Sequence, residues 1–546
     1  MLTKTITIVI LFVILIVYLI GAFTIDLLDN DATQYFTIAM NMYDSGNFMD
    51  VTWRPDYNYL DKPPLLFWLS ASFFSIFGMS HFVYRLPSIL ITLLGIFSTY
   101  KLGKKLYNEQ VGLFSAIIYA GNFAIFVINH DVRTDTMLAG FVIFSIWQLY
   151  EYLQSGKKLN FLLGFIGIGL AFSTKGPLGL LIPILALGPQ LIYHRRWKDI
   201  FRPEWFLGLV IVFIVLIPMI VSVYQQHGME GIRFHFWDQS FGRITGNTKW
   251  EDTTGPFFFV HSFLWSFLPW TIIALVAYVK KWIGAFKAFD KDESFEIITL
   301  GGITLVFIAM SMAQYKLPHY TYVVFPLVAI LTGSYIDKTF KQIKWEGFGP
   351  YLSISQTALN ILLWIAVGLS FYIFSEVSIL VYILEIVFFA GFLYLIFKKK
   401  NQVSRIFSTS LVTIIGVAFV LNLHFYPNLN PFQAGAEVGK DIKEMKISAE
   451  DILIYKAHKP ATDVYSEMII PRTLEHHQLD SILNIDRPRY IFTNTEGLEE
   501  LEQYNIKMVT IKTYSDFHTS TLTLPFLNPA TRAEAVHKCY LLEVER

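Results

Sequence analysis

Two carboxylates stand at the ends of long apolar runs. Asp31 follows the first such run of the chain, and Asp135 comes just before a later one. A carboxylate is costly to keep where a membrane helix meets water, so such residues are functional candidates by default. With an ordinary pKa of ~3.9, each would be ionised and able to accept a proton or orient a hydroxyl or amine. Each could instead serve as a turn residue or N-cap of a neighbouring helix.

Three lysines stand alone near proline residues: Lys62, Lys175 and Lys316. Proline restricts the residue before it to extended conformations, which holds the first of these ammonium groups on a stiff loop. Lys175 is the sole charge between Phe161 and Tyr193, and a charge at the membrane edge must be solvated or paired. A lysine is a point charge that suits a phosphate group. The alternative is that these lysines are solvated loop charges.

Aromatic and basic side chains mix in two further segments. Arg243 lies in a loop rich in Phe, His and Trp, where it could hold an anionic headgroup, although an interfacial aromatic belt has the same composition. Tyr320 could donate a hydrogen bond to a phosphate. His235 with Asp238 or Asp61 could bind a divalent ion, but the spacing is not diagnostic and a lone histidine is more often structural.

The composition is that of a polytopic membrane protein. Of the 546 residues, 54% are hydrophobic and only 16% are charged, against about 25% charged residues in a soluble protein. The formal net charge is zero and no nucleic-acid motif is present, so we expect no nucleic-acid partner. Cys539 is the only cysteine, which excludes an intramolecular disulfide and a cysteine-based metal site. The first apolar run is too long for a signal peptide and predicts a retained helix.

About thirteen apolar segments approach the length of a membrane span. They lie near residues 6–28, 82–100, 111–129, 134–153, 160–174, 177–193, 205–226, 257–279, 295–313, 319–337, 353–374, 376–397 and 404–424. Loops after even-numbered segments are rich in Lys and Arg, so the positive-inside rule places them and the N-terminus in the cytoplasm. The odd number of segments then places the C-terminus outside, together with the loops 29–81 and 227–256.

The composition changes after about residue 425. Strand-like pieces at 451–455, 490–493 and 507–511 alternate with helix-like pieces at 435–445 and 495–504. This pattern predicts a small soluble α/β domain on the outer side. We therefore expect two domains: a transmembrane domain over 1–424 and an α/β domain over 425–546. In the first outer loop, 32–46 and 63–77 are helix-like and rich in aromatic residues, as in helices that lie along the interface.

The motifs resemble those of the type C glycosyltransferases of the protein O-mannosyltransferase superfamily. The likeness is closest to the bacterial lipid A aminoarabinose transferases, and the expected fold is theirs. The matching stretches are Asp-Ala-Thr-Gln-Tyr at 31–35, Asp-Lys-Pro-Pro at 61–64, Arg-Thr-Asp at 133–135, Thr-Lys-Gly-Pro at 174–177 and Lys-Leu-Pro-His-Tyr at 316–320. They occur in the order found in that family, as does a C-terminal outer domain.

The resemblance implies an inverting transfer of a sugar from a polyprenyl-phosphate donor to a glycolipid or other envelope acceptor, in a bacterial inner membrane with the site on the periplasmic side. Asp31 matches the catalytic carboxylate, and Asp135 matches the acidic residue of the second motif. The positions expected to contact the lipid phosphate are Lys62, Lys175, Tyr320 and, by their charge, Arg243 and Lys316. Asp61 stands where the family has a glutamate that helps to hold a divalent metal.

Two residues depart from the family pattern. Ala32 replaces the acidic neighbour of the catalytic carboxylate, which leaves Asp31 without a vicinal partner unless Asp29 compensates. Gln34 replaces an arginine. The metal-binding histidine of the family has no secure counterpart here.

The chemistry is consistent with the resemblance, and alternatives remain open. The leaving group would be a lipid phosphate, whose growing charge fixed cations stabilise. Asp31 would take the proton of a hydroxyl acceptor, whereas a phosphate acceptor needs no base. One alternative is a protein O-mannosyltransferase, which needs a groove for an acceptor peptide. Another is a flippase or transporter for lipid-linked sugars, which would place polar groups at the middle of its spans. A third is a structural membrane protein, which would survive the loss of Asp31.

Overall fold

The computed structural model describes residues 2–28, 31–55, 57–242, 254–291, 295–340, 349–398, 401–474, 488–503, 507–519 and 521–545. Within these ranges the chain is mainly helical, with a small sheet towards the C-terminus. Each apolar segment predicted to be a span overlaps a helix or a broken helix. The prediction of a polytopic helical membrane protein with a C-terminal α/β region is therefore confirmed.

Short connections join most of the helices in the first three quarters of the chain. These helices are α1 (Lys4–Thr24), α2 (Asp31–Ser45), α3 (Leu65–Phe77), α4 (His81–Leu106), α5 (Glu109–Ala120), α6 (Phe123–Asp131), α7 (Thr134–Ser155), α8 (Lys158–Lys175), α9 (Leu178–Tyr193), α10 (Trp197–Ile200), α11 (Glu204–Arg233), α12 (Phe258–Ser266), α13 (Thr271–Asp290), α14 (Ile298–Ser311), α15 (Phe325–Phe340), α16 (Gly349–Ile373), α17 (Ile379–Lys398) and α18 (Gln402–Val420). Tighter or wider turns continue the helical path at Phe234–Gly242, Pro318–Val324, Leu421–Phe425 and Asn430–Phe432. A hairpin of β1 (Thr52–Arg54) and β2 (Tyr57–Asn58) separates α2 from α3.

The helices make the chain a multi-pass membrane protein. Seven helical segments in the described ranges are long and apolar enough to cross a membrane on their own. The pair α5 and α6, bent by 52°, would make an eighth. Three further apolar helices, α3, α9 and α14, have 13, 16 and 14 residues and are shorter than a full span. The number of thirteen crossings remains a prediction.

Besides the segment that contains α5 and α6, two predicted spans are not single continuous helices. In the segment 257–279, α12 ends at Ser266 and α13 begins at Thr271, with Pro269 between them. Proline lacks an N–H and its ring collides with the preceding turn, so a helix does not run through it undisturbed. The segment 319–337 likewise begins with the tight turn at Pro318–Val324 before α15 follows.

The described part of the C-terminal region forms one five-stranded sheet. Its elements are α19 (Ala434–Glu444), β3 (Ile452–Tyr455), α20 (Ala461–Ser466), β4 (Arg472–Thr473), β5 (Tyr490–Asn494), α21 (Thr495–Gln503), β6 (Met508–Asp516), α22 (Leu524–Leu527), α23 (Arg532–Ala535) and β7 (His537–Val544). The strand order is β4-β3-β5-β7-β6; the first three are parallel, and β7 runs antiparallel to both of its neighbours. The three predicted strands are confirmed, while β4 and β7 were not predicted.

The sheet region packs on the loop that follows α1. Arg54 of the hairpin donates to the buried Asp463 at 2.5 Å, and Lys440 bonds Asp26 at 2.7 Å. The Tyr465 hydroxyl also accepts from the backbone N–H of Leu27 at 2.8 Å. The α/β region and the first predicted outer loop therefore lie on the same side of the molecule.

Candidate active site

Asp31 is the first residue of α2, so its carboxylate lies at the positive end of that helix. The backbone behind it is firmly held, because Ala32 is fully buried and its carbonyl oxygen accepts from the Tyr84 hydroxyl at 2.9 Å. The side chain of Asp31 nevertheless stays 43% exposed. The alanine that replaces an acidic residue at position 32 thus packs inside the protein, while the neighbouring carboxylate stays accessible.

Arg133 links Asp31 to a second carboxylate. Its Nη1 atom donates to Asp31 Oδ2 at 2.6 Å, and its Nε atom donates to Asp131 Oδ2 at 2.7 Å. Val132, which lies between Asp131 and Arg133 in the chain, has a φ of 45°, a value that residues with a branched Cβ rarely adopt. Backbone held in such a conformation is common at functional sites. Asp131 was not singled out from the sequence, because it lies before the Arg-Thr-Asp motif.

Asp135 and Lys175 form a buried ion pair. Lys175 Nζ lies 2.5 Å from Asp135 Oδ1, and the two side chains are 10% and 4% exposed. Lys175 ends α8, where the negative end of the helix favours a cation. The ammonium also lies 3.9 Å from the centre of the Tyr320 ring, within the range of a cation–π contact. Three of the sequence motifs therefore meet at one point.

His319 completes this group. Its Nε2 atom is 3.7 Å from Asp135 Oδ2. The ring also lies close enough to interact electrostatically with Lys175, Arg133 and Asp31. The sequence contained a signal for it, since His319 lies inside the Lys-Leu-Pro-His-Tyr motif, but a histidine alone gives no indication of its partner. We call Asp31, Asp131, Arg133, Asp135, Lys175 and His319 the ion-pair cluster.

Lys62 lies near the ion-pair cluster. Its charge acts on both Asp135 and His235, so the stiff loop brings the lysine to the cluster. The preceding residue, Asp61, is held through its backbone oxygen, which accepts from Gln239 Nε2 at 2.9 Å. Nearby, burial and the charge of Asp61 raise the pKa of Tyr59 well above its ordinary value, which keeps the phenol protonated.

The remaining predicted residues do not join the ion-pair contacts. Lys316 is buried, and its Nζ atom donates to the Thr254 carbonyl oxygen at 3.1 Å. Arg243 and Asp29 lie outside the described residues. Within the described ranges, no three His, Cys, Asp or Glu side chains converge as a metal site would require. Among the described residues Asp61 thus lies in no such group of donors, and its role as a metal ligand stays a prediction.

The arrangement of charges suits a reaction on a phosphate ester at the membrane surface. An accessible carboxylate at Asp31 lies on one side of Arg133, and the cations Lys62 and Lys175 lie near Asp135. The carboxylate can orient or deprotonate an acceptor. Fixed cations can stabilise the charge that develops on a departing phosphate.

Comparison with known proteins supports the same kind of chemistry. Residues 61–221, less than a third of the chain, match the family described as dolichyl-phosphate-mannose-protein mannosyltransferase. An undecaprenyl phosphate-α-4-amino-4-deoxy-L-arabinose arabinosyl transferase of Edwardsiella ictaluri is 28% identical over 56% of this chain and 55% of its own length. An uncharacterised protein of Aquifex aeolicus is 26% identical over 75% of this chain and 76% of its own length. The chain thus spans about half the length of the named transferase.

The likeness in structure covers nearly the whole chain. The crystal structure of ArnT from Cupriavidus metallidurans bound to undecaprenyl phosphate superposes with a TM-score of 0.77 at 17% identity, over 98% of this chain and 97% of that one. The chain has the type C glycosyltransferase fold. An oligosaccharyltransferase of Archaeoglobus fulgidus has a more distant version of this fold, with a TM-score of 0.52 at 13% identity over 89% of this chain and 70% of the other. The resemblance of the motifs to ArnT-like type C glycosyltransferases is thereby confirmed.

Proposed function

We propose that this protein transfers a sugar from a polyprenyl-phosphate carrier to an acceptor at the membrane surface, most simply a lipid A-like glycolipid. The observation that carries the proposal is the ion-pair cluster, in which Arg133 joins Asp31 and Asp131 beside the buried pair of Asp135 and Lys175. The fold of ArnT and the name of the Edwardsiella relative support the same chemistry. The sugar and the acceptor are the parts of the proposal that rest on relatives alone.

In the proposed reaction, the bond between the anomeric carbon and the carrier phosphate oxygen breaks, and the bond pair leaves with the phosphate. Lys62 and Lys175 would contact that phosphate and stabilise its added charge. Asp31 would orient the acceptor oxygen on the opposite face of the sugar, where that oxygen forms the new bond to the anomeric carbon, and attack from this face inverts the configuration. It takes the proton of a hydroxyl acceptor, whereas an ionised phosphate acceptor has no proton to lose.

The predicted residues have the following proposed roles. Asp31 and Asp135 act at the reaction centre, the second by holding Lys175 in place. Tyr320 supports the Lys175 ammonium and donates its hydroxyl to the phosphate, while Lys316 and Arg243 add positive charge near the carrier. We also propose that the transmembrane domain over 1–424 carries the reaction in a bacterial inner membrane, with a cytoplasmic N-terminus and a periplasmic domain over 425–546.

The proposal is tested with purified protein in lipid nanodiscs, a labelled polyprenyl-phosphate sugar and a set of glycolipid and peptide acceptors. We expect Asp31→Asn to lower the transfer rate by about 100-fold or more, in the range found for a general base. Asp44→Asn is the matched control, because Asp44 lies in the last turn of the same helix, away from the cluster. Lys62→Ala should also lower transfer, because it removes a cation from the phosphate.

Two outcomes separate the parts of the proposal. Full transfer by a normally folded Asp31→Asn protein would show that the site is assigned wrongly. If no acceptor releases sugar from the carrier with the unaltered protein, the proposed reaction itself fails. Transport of the intact carrier across the membrane without transfer would instead support a flippase.

A further inference from the structure

The C-terminal sheet has a point at which its strand order reverses. From β3 the chain crosses to β4 on one side, and later returns to β5 on the other side of β3. All three strands are parallel, so the connections after β3 and β5 leave from the same edge of the sheet. In open α/β sheets, ligands bind in the crevice outside the carboxyl ends of such strands.

A polar cleft of about 390 Å³ occupies this crevice. Its walls come from residues 456–459 after β3, from 494–496 where β5 ends and α21 begins, from Asp516 at the end of β6, and from 537–539 at the start of β7. This volume is within the range of small-ligand sites. None of these residues belongs to the ion-pair cluster, so the cleft is a second candidate site.

The carboxylates of the cleft are already neutralised. Lys456 Nζ lies 2.7 Å from a Glu496 carboxylate oxygen, and Lys459 Nζ lies 2.7 Å from one of Asp516. Asn494 fixes the same wall, because its side chain donates to the Lys456 backbone oxygen at 3.0 Å and accepts from the N–H of Gly497 at 2.8 Å. Paired carboxylates and lysines held in this way offer both acceptors and donors to hydroxyl groups.

One further cation lies on the other wall, while the remaining lysines are balanced, Lys456 by Glu496 and Glu500 and Lys459 by Asp516. Lys538 is exposed, and no carboxylate of the described residues lies within ion-pair distance of it. His458 and His537 line the cleft beside it. Burial lowers the pKa of His458, and the positive charges of Arg472 and Arg54 lower it further, which keeps the ring neutral. An anionic group in the cleft would pair with the Lys538 ammonium.

Two features of the backbone also favour a ligand in the cleft. The nine-residue helix α21 begins at Thr495, in the wall of the cleft, and helix N-termini favour anions. Lys456 has a φ of 53°, a conformation that residues other than glycine rarely adopt and that is common at ligand sites. The walls are therefore held in an arrangement that the backbone alone does not favour.

We propose that this cleft binds a phosphorylated saccharide. The phosphate lies against Lys538, His537 and the N-terminus of α21, and the sugar hydroxyls bond the paired groups of Glu496 and Asp516. A free sugar phosphate and the headgroup of a phosphorylated glycolipid share this chemistry. The proposal does not depend on the transfer reaction, because binding here is expected without any donor.

The test measures binding of glucosamine 1-phosphate to the full-length protein in nanodiscs by ligand-observed NMR, with unphosphorylated glucosamine and inorganic phosphate as comparison probes. We expect saturable binding of the sugar phosphate, tighter than that of either probe. Lys538→Ala should weaken it about tenfold, the effect of losing one charge-assisted hydrogen bond. Lys512→Ala is the matched control, since Lys512 is an exposed lysine of the same sheet that pairs with Asp441 outside the cleft.

A second arm distinguishes the two sources of ligand. A synthetic phosphorylated glucosamine lipid is added to the nanodiscs as a competitor of glucosamine 1-phosphate. Competition identifies a membrane glycolipid as a ligand, and lack of competition identifies a soluble one; both outcomes support the cleft. The proposal is overturned if glucosamine binds as tightly as its phosphate, if no probe binds saturably, or if Lys538→Ala and Lys512→Ala have equal effects.

Discussion

At the scale of single residues, the candidate active site is built from charges that already have partners. Arg133 is shared between two aspartates, and Lys175 is held by Asp135. A buried ion pair costs desolvation and is weak support for stability, but removing one partner leaves a charge buried alone. The cluster is therefore sensitive to single substitutions for reasons that have nothing to do with catalysis, and tests of function need a measurement of folding beside them.

The pair of Asp135 and Lys175 gives the first prediction. Lys175→Met should destabilise the protein by about 3–5 kcal/mol, because it leaves a carboxylate buried without its cation. The double variant with Asp135→Asn should recover most of that loss, since no charge is then left unpaired. Denaturant unfolding followed by tryptophan fluorescence measures both. A single variant as stable as the unaltered protein would show that the two side chains do not pair.

Tyr320 allows stability to be separated from activity. Its ring lies under the Lys175 ammonium, so Tyr320→Phe keeps the cation–π contact. The free energy of unfolding of Tyr320→Phe should therefore be within about 0.5 kcal/mol of that of the unaltered protein, while that of Tyr320→Ala should be lower by roughly 1–2 kcal/mol. If the hydroxyl bonds the carrier phosphate, Tyr320→Phe should still raise the KM for the donor several-fold. Donor titrations and unfolding midpoints on both variants check this. Equal KM values for Phe and Tyr would remove the hydroxyl from the site.

At the scale of helices and loops, Arg85 holds together the elements that carry the cluster. It is fully buried in α4, and its guanidinium donates to the backbone oxygens of Ala22, Ile25 and His130 at 2.8–2.9 Å. The oxygens of Ala22 and Ile25 lie at the end of α1, which precedes Asp31 in the chain. The oxygen of His130 lies near the end of α6, which precedes Arg133. One side chain therefore fixes both of the segments that lead to the site.

Replacing this arginine should therefore loosen the site as well as the fold. Arg85→Met leaves three buried carbonyl oxygens without a donor, and each such group costs about 1–3 kcal/mol. We expect a large loss of stability and poor recovery from the membrane, with Arg85→Lys intermediate because it keeps one donor group. Yield of folded protein by size-exclusion chromatography and its unfolding midpoint measure the effect. Normal stability of Arg85→Met would contradict the role given to this residue.

The sequence predicted the elements better than their contacts. Apolar runs and loop charge located the helices, and motif order located Asp31, Asp135 and Lys175. Local patterns carry no information on which distant residues meet, so the pairing of Lys175 with Asp135 and the contact of His319 with Asp135 were out of reach. The strand β7 was missed because its exposed half is polar, and it is defined only by pairing with both neighbours.

At the scale of the whole molecule, the α/β region and the loop that follows α1 form one layer on the same side of the protein. Asp463 is fully buried and accepts from both Arg54 and Arg472, at 2.5 and 2.6 Å. Arg54 belongs to the hairpin that leads directly to Asp61 and Lys62. The position of the sheet is thus coupled to the loop that brings a lysine to the cluster, and both must lie on the same side of the membrane.

The single cysteine offers a clean background for testing this arrangement. Cys539 is 2% exposed, and burial raises the pKa of its thiol to about 12. The thiolate is the reactive form, so the folded protein should react slowly with maleimides up to pH 9. After unfolding the pKa returns to ~8.5 and labelling should become complete. Mass spectrometry before and after denaturation measures both states; rapid labelling of the folded chain would mean that the sheet is open at β7.

Introduced cysteines then decide the orientation. Lys157 lies in the exposed loop between α7 and α8, and Glu450 lies in an exposed turn before β3. The charge pattern of the loops predicts that the first is cytoplasmic and the second periplasmic. In intact cells, a membrane-impermeant maleimide should label Glu450→Cys at once and Lys157→Cys only after permeabilisation, while the unaltered chain provides the background. Labelling of Lys157→Cys alone would reverse the topology and move the ion-pair cluster to the other face of the membrane. Labelling of both from outside would contradict the predicted crossing of the membrane between the two positions.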